Sequence, residues 1–419
     1  MIGPITSRVI PRRTILKAGA AAGALQVASP FILTARGEVP VKLGMVDPFT
    51  GVYAAFAKSE MEGAKLAIDH INKKGGILGR PAELLVEDSA NDVGTGVQKT
   101  RKLIERDQVD LIIGDVNSGI ALAMSGVTSE LKKLHIVSGG HTDPITGKDC
   151  KWNVFRVCNT TSMDANSIAG TVMEKLGKKW YFLTPDYAYG HSVQQSFVNN
   201  LTKGGGTYDG ALVPLNTTDY SSYLIKAKAY GPDVLIDVMG GVDQVNSLKQ
   251  FVQFGLNKQM KVAGSLFELE SLRSVPPDAL TGWWVMEWWW DQPEVTQVKG
   301  YVDELVKITG KKPTARHWFG YVSVQTFALI ANREKTLDGV KLAHAMEGFE
   351  LPPEVALMPN KTYYRAGDHQ LMSSVYAGEV HPAAAGKDPD DMFSVRQIVP
   401  GDKAAPSVED TGCKVTWPA

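Results

Sequence analysis

Cysteine is scarce in this 419-residue chain: there are three, and no two of them form a Cys-x-x-Cys pair. The eight histidines show no metal-ligand spacing, so no metal site is expected. Basic excess is missing as well. The 44 Lys and Arg against 45 Asp and Glu leave a net charge of −1, which offers nothing to neutralise a phosphate backbone and excludes nucleic acid as the main partner. Beyond the N-terminal region no segment reaches the ~18 uninterrupted apolar residues of a membrane-crossing helix. Signatures of catalysis are absent too. There is no Gly-x-x-x-x-Gly-Lys-Ser/Thr loop for a nucleotide, and no Gly-x-Ser-x-Gly elbow follows a strand. The glycines of "KGGILGR" close a helix instead of opening one, which is the wrong context for a dinucleotide. His141 and Asp143 of "GGHTDP" stand two apart in a loop with no nucleophile beside them. Neither an enzymatic activity nor a cofactor is expected.

What is present begins with "PRRTILKAGAAAGALQVASPFILTARG". Paired Arg12 and Arg13, an alanine-rich apolar stretch and Ala35-Arg36-Gly37 have the order of a twin-arginine export signal over residues 1–37. An amphipathic helix at the start of a cytosolic chain is the alternative. The export reading predicts a mature protein in the periplasm. There an odd cysteine count permits at most one intrachain disulfide and leaves one thiol. The expected pair is Cys150 with Cys413, tacking the C-terminal tail to the body, with Cys158 of "VFRVCNT" left free; three free thiols are the alternative.

From Val41 onward short apolar runs alternate with helical periodicity. "VKLGMV", "AELLVED", "VDLIIGD" and "HIVSGG" read as strands, with "SEMEGAKLAIDHINKKGG", "GTGVQKTRKLIERD" and "SGIALAMSGVTSELKKL" as helices between them. Nearly all-apolar strands separated by helices predict a parallel sheet covered on both faces. The pattern restarts after about residue 160 with "KKWYFLTPD", "YDGALVPL", "PDVLIDVM" and "KVAGSLF". Two such units predict two α/β lobes with a cleft between them, where ligands sit outside the carboxyl ends of the strands. The expected boundaries are 38–160 plus 288–370 for lobe 1 and 161–287 plus 371–380 for lobe 2. Residues 381–419, rich in Pro, Gly, Asp and Ala, are expected to form an irregular tail.

Three strand-to-helix turns carry the candidate site. "GDVNSGIALAM" enters a helix at Asn117-Ser118-Gly119, where Ser118 is the expected N-cap and the free N–H groups favour an anion. "SGGHTDP" repeats this one strand later with His141 and Thr142, and "TPDYAYGHS" sets Tyr187 and Tyr189 at the matching edge of the second unit. Each turn taken singly is also what capping alone requires.

Together these residues resemble the periplasmic solute-binding proteins of ABC importers, in the class that carries leucine, isoleucine and valine. "PFTGVYAAFAKSEMEGAKLAIDHINKKGGILGRPAELLVEDSANDV" is similar to that family's opening, and "LIIGDVNSGIALA", "HIVSGGHTDP", "DYAYGHS" and "KITGKKPT" follow in its order and spacing, over roughly residues 40–380. The resemblance implies a type I periplasmic binding fold, two doubly wound parallel-sheet lobes joined by a three-strand hinge. It also implies a monomer that takes a small carboxylate and works with a permease and an ATPase. Ser118 matches the serine that holds the ligand carboxylate, with Asn117 and Gly119 beside it; His141 and Thr142 match the next contact loop. Phe56 falls where leucine binders have a tyrosine, and Tyr189 matches the second-lobe tyrosine. Gly240 lies in "VMGGVDQ", a loop without the tyrosines found there in leucine binders. Those binders hold the ligand ammonium with an acid at a strand end, where "AGSLFELE" puts Leu266 or Phe267 unless Glu268 reaches in.

Five of the nine tryptophans crowd into "WWVMEWWWDQ", residues 283–292. The resemblance puts this stretch on a crossover strand. Alternation places Trp288 and Trp290 on one face, either packing the lobe interface or joining Tyr53, Phe56 and Tyr189 as an aromatic wall over the ligand. With the ammonium partner displaced, aromatic acids are expected ahead of branched-chain amino acids. A sensor module on the same fold, working without a transporter, is the alternative function; an exported hydrolase lacks a nucleophile and base.

Overall fold

The structure is a computed structural model and describes residues 39–418; residues 1–37, read from the sequence as an export signal, lie outside these. Strand β1 (Val41–Asp47) leads to helix α1 (Ala54–Lys73), β2 (Ala82–Asp88) to α2 (Val93–Arg101), and β3 (Leu111–Ile113) to α3 (Ser118–Glu130). Strands β4 (Leu134–Val137) and β5 (Val154–Arg156) complete the first sheet. Its order is β2-β1-β3-β4-β5 and every pairing is parallel. Apart from the edge strand β2, which is mostly half-buried, the strands are almost wholly buried because their Val, Ile and Leu side chains meet helices on both faces.

Helix α4 (Thr161–Lys175) opens the second lobe. It is followed by β6 (Lys179–Pro185), α5 (Ala188–Lys203), β7 (Thr207–Val213), α6 (Ser221–Tyr230), β8 (Val234–Asp237), α7 (Gly241–Gln253), β9 (Lys261–Leu266), α8 (Leu269–Leu272) and β10 (Trp283–Met286). The chain then returns to the first lobe as α9 (Thr296–Thr309), α10 (Ala315–Glu334) and α11 (Gly339–Met346). It passes through a short ribbon of β11 (Tyr363–Tyr364) and β12 (Leu371–Met372), then crosses again into β13 (Val375–Val380) and β14 (Phe393–Val399). The second sheet runs β14-β13-β10-β9-β8-β6-β7, and all its strands run one way except β13, which is antiparallel to both β10 and β14. The chain therefore passes between the sheets after β5, after β10 and before β13.

Three expectations need correction. Residues 381–419 are not irregular throughout: β14 extends the second sheet, because "FSVRQIV" turns Phe393, Val395 and Val399 toward the body. The tryptophan run is a strand only up to Met286, so alternation does not govern Trp288–Trp290. Helix α3 is capped by Asn117, whose side chain accepts from the N–H groups of Gly119 and Ile120, with Ser118 already inside the helix. Cys150 and Cys413 are joined by a disulfide with Cα atoms 5.6 Å apart, and Cys158 is buried as a thiol.

The crossing of α1 and α10 sets the geometry of the site. A Cβ on Gly63 would stand 1.9 Å from the carbonyl oxygen of His317, and one on Gly320 would stand 1.9 Å from that of Glu60. Two reciprocal glycines thus let the backbones touch, which brings Glu60 and Arg316 together in the interior.

Candidate functional site

Between the carboxyl ends of the two sheets lies a cavity of about 30 Å³. Its wall is aromatic. Tyr53 and Phe56, from the turn into α1, stack with centroids 5.8 Å apart. Tyr187 and Tyr189, at the start of α5 in the other lobe, are 5.9 Å apart. The Tyr53 and Tyr187 hydroxyls meet across the cleft at 2.9 Å. Tyr189 is tied to Ser265 Oγ at 2.8 Å and receives the edge of the His141 ring at 5.9 Å. Val116, Met239, Gly240, Gln244 and Leu266 complete the apolar and neutral lining. Each comes from a strand end or a helix start, because the doubly wound topology collects those turns along one edge.

The floor is charged. Arg316, near the start of α10, donates from Nη1 to Glu60 (2.9 Å) and from Nε to Glu268 (2.8 Å), and its Nη2 lies 2.8 Å from the same Glu268 oxygen. The guanidinium lies 4.7 Å from the centre of the Phe56 ring and 5.4 Å from that of Phe319. Glu60 also accepts from Ser138 Oγ at 2.5 Å. Burial pushes the Glu268 carboxyl up to about 8, against the pull of Arg316 and helped by the charges of Glu270 and Glu287. Beside this group His141 donates from Nε2 to Glu287 at 2.6 Å, and Glu287 also accepts the N–H of Asn159. Burial lowers the His141 pKa more than Glu287 raises it, so the imidazole is neutral.

Of the residues singled out in the sequence, Phe56, His141, Tyr187, Tyr189 and Gly240 line the cavity. Asn117, Ser118, Gly119 and Thr142 do not. Ser118 Oγ accepts the Thr142 N–H at 3.3 Å, Thr142 Oγ1 donates to the Ala188 carbonyl at 3.2 Å, and the Asn117 side chain is used in capping. Phe267, just past the end of β9, turns away onto Trp284, 4.6 Å between centroids, while its neighbours Leu266 and Glu268 line the cavity. Glu268, the acid the sequence left as an alternative at this strand end, therefore lines the cavity.

Trp288 and Trp290 are not in its wall. Trp288 is buried against Tyr301 and donates to the Leu357 carbonyl at 2.9 Å, while Trp290 lies between Trp289 and Lys312. Sequence reasoning missed Arg316 and Glu60. Among the described residues no cluster of three His, Cys, Asp or Glu is arranged to hold a metal, and no helix is long and apolar enough to cross a membrane.

Two parallel-sheet lobes, three crossings and a cavity at the carboxyl ends of both sheets define a type I periplasmic binding fold. Residues 40–387 match the model of the periplasmic binding protein family. Leu/Ile/Val-binding protein homolog 1 of Brucella abortus (strain 2308) is 26% identical over 344 residues, 81% of this chain and 89% of that protein. A crystal structure of a periplasmic binding protein from Burkholderia mallei superposes with a TM-score of 0.84 at 26% identity, covering 89% of this chain and 98% of that one. The amino acid ABC transporter substrate-binding protein from Pseudomonas fluorescens Pf-5 does so at 0.80 with 25% identity, covering 90% and 100%. The chain belongs to the periplasmic binding protein family, the solute-binding proteins of ABC transporters.

Proposed function

We propose that the protein captures a small carboxylate with an apolar or aromatic body between its lobes and delivers it to an ABC permease driven by an ATPase. In this reading it acts as a monomer in the periplasm, reached through the twin-arginine route, and catalyses nothing. The observation that carries the reading is the cavity wall of Tyr53, Phe56, Tyr187 and Tyr189, drawn from both lobes above a charged floor. Capture in this reading proceeds by the lobes parting and closing again about the three crossings.

Glu268 in the lining supports an ammonium partner, since a buried ammonium without an anion would be costly. Hydrophobic amino acids therefore stand ahead of simple aromatic acids, reversing the order drawn from the sequence. Arg316 in the same lining favours aromatic acids as the second reading. Both are addressed by a thermal-shift screen of amino acids, aromatic acids and amides, because a solute at a hundred times its Kd adds about 2.7 kcal/mol of stability. Hydrophobic amino acids are expected to raise Tm most; no response from any amino acid or aromatic acid would contradict the reading.

A further inference from the structure

A second cavity, of about 390 Å³, lies at the opposite end of the second sheet from the cleft. Lys261 and Val262 begin β9 there, Trp283 begins β10, Val380 ends β13, and Arg396 comes from β14. Strand β9 reaches the cleft only with its last residue, Leu266. At ~3.3 Å per residue the two ends are roughly 17 Å apart, and the two cavities share no lining residue. The volume falls within the about 300–1,000 Å³ of small-molecule pockets.

Its floor is apolar: Phe251, Met260 and Val262 are buried beside the Trp283 indole, which is 8% exposed. Gly282, at φ +94°, lets the chain enter β10 flush with β9, since a Cβ there would stand 2.2 Å from the Val262 carbonyl oxygen. Two polar groups of the lining are unused. Asn257 Oδ1 is buried with no donor facing it. The Trp283 indole N–H makes no hydrogen bond among the described residues, whereas Trp284, Trp288 and Trp290 each donate to a carbonyl. The rim is cationic. Lys261 and Arg396 stand on it, and Lys175 Nζ lies 5.3 Å from the centre of the Trp283 ring. The one acid of the lining, Glu379, accepts from Arg396 Nε at 2.7 Å. With side chains 40% and 54% exposed that pair is weak, and it engages the guanidinium through Nε alone.

We propose that this cavity is a second binding site, taking an aromatic anion of about two or three rings that carries an N–H or O–H donor of its own. The rings lie on Trp283 among the apolar side chains. The anionic group meets Arg396 and Lys261, whose charges Glu379 only partly offsets, and the donor meets Asn257 Oδ1. A neutral molecule of the same shape forgoes the charge attraction, and a cation is repelled. The site goes beyond the capture reading and does not depend on it.

The dye 8-anilinonaphthalene-1-sulfonate has the required parts: flat rings, a sulfonate and an N–H. Fluorescence titration of the folded protein at neutral pH is expected to show it binding saturably at one site per chain. N-phenyl-1-naphthylamine, the same body without the sulfonate, should bind about tenfold or more weakly. A Lys261→Glu/Arg396→Glu double variant reverses two exposed charges and so keeps the fold. It should weaken the sulfonate by about tenfold or more and leave the naphthylamine unchanged, while Phe56→Ala in the cleft should alter neither dye. The site is refuted if the sulfonate does not bind saturably, if the two dyes bind wild type alike, or if the double variant binds the sulfonate as wild type does. Loss of the sulfonate in Phe56→Ala alone would place the dye in the cleft and equally overturn the proposal. Capture of a solute between the lobes stands in each of these cases.

Discussion

Phe56 touches most of what gives the cavity its character: it stacks on Tyr53 and its ring faces the Arg316 guanidinium. Phe56→Ala is expected to weaken solute binding by roughly 1–3 kcal/mol, the combined loss of buried area and ring contact, read by calorimetry on the folded variant. Asp237, at the end of β8, accepts from the Met239 N–H (2.8 Å) and from Ser247 Oγ (2.5 Å). Burial pushes its carboxyl up to about 7. A raised carboxyl favours the fold below its unfolded value near 4, and that contribution is lost as pH rises through about 7. Asp237→Asn keeps both partners and should therefore raise Tm at pH 8 relative to wild type, with little change at pH 4; an equal shift at both values would remove Asp237 as a source of pH dependence. Phe56, His141, Tyr187, Tyr189 and Gly240 were legible because each sits in a turn next to a readable strand or helix. Arg316 was not. Its segment "PTARHWFG" reads as an ordinary helix start, and only the second crossing of the chain, after β10, brings it under the cavity.

Helices α1 and α10 each give the cavity one lining side chain, Phe56 and Arg316, and their crossing sets where those two stand. Gly63 and Gly320 let the two backbones meet, and that contact fixes Glu60 against Arg316. Gly320→Ala should force the helices apart, lowering stability by about 1–3 kcal/mol in denaturant unfolding and weakening solute binding as well. Unchanged stability would mean that the crossing can relax without cost. The strands and helices of both lobes were readable from apolar runs and helical spacing. β14 was not, because its exposed face interrupts the apolar pattern of "FSVRQIV". The tryptophan run misled for a related reason. Period-2 reasoning was carried past Met286, where the strand ends and Trp288–Trp290 instead pack the hinge against Tyr301, Lys312 and Phe393.

Over the whole molecule, the tail is bound back to the first lobe by Cys150–Cys413, a link that closes 263 residues. Trp417 adds to it, stacking on His344 with centroids 3.6 Å apart. A Cys150→Ser/Cys413→Ser double variant should lose on the order of 2–4 kcal/mol of stability with solute affinity unchanged, since the link lies away from the cavity. Peptide mapping of the unreduced protein that found Cys158 in the bridge would contradict this arrangement. The family resemblance gave the two lobes and the three crossings, but the composition of the cavity floor depends on how those crossings bring α1, α10 and the end of β9 together. The central claim is capture of a small carboxylate in that cavity, and calorimetric titration of the wild-type protein with hydrophobic amino acids tests it most directly. Saturable binding at one site per chain, weakened by Phe56→Ala and by Glu268→Gln, is the expected result. Binding that neither substitution alters would contradict it.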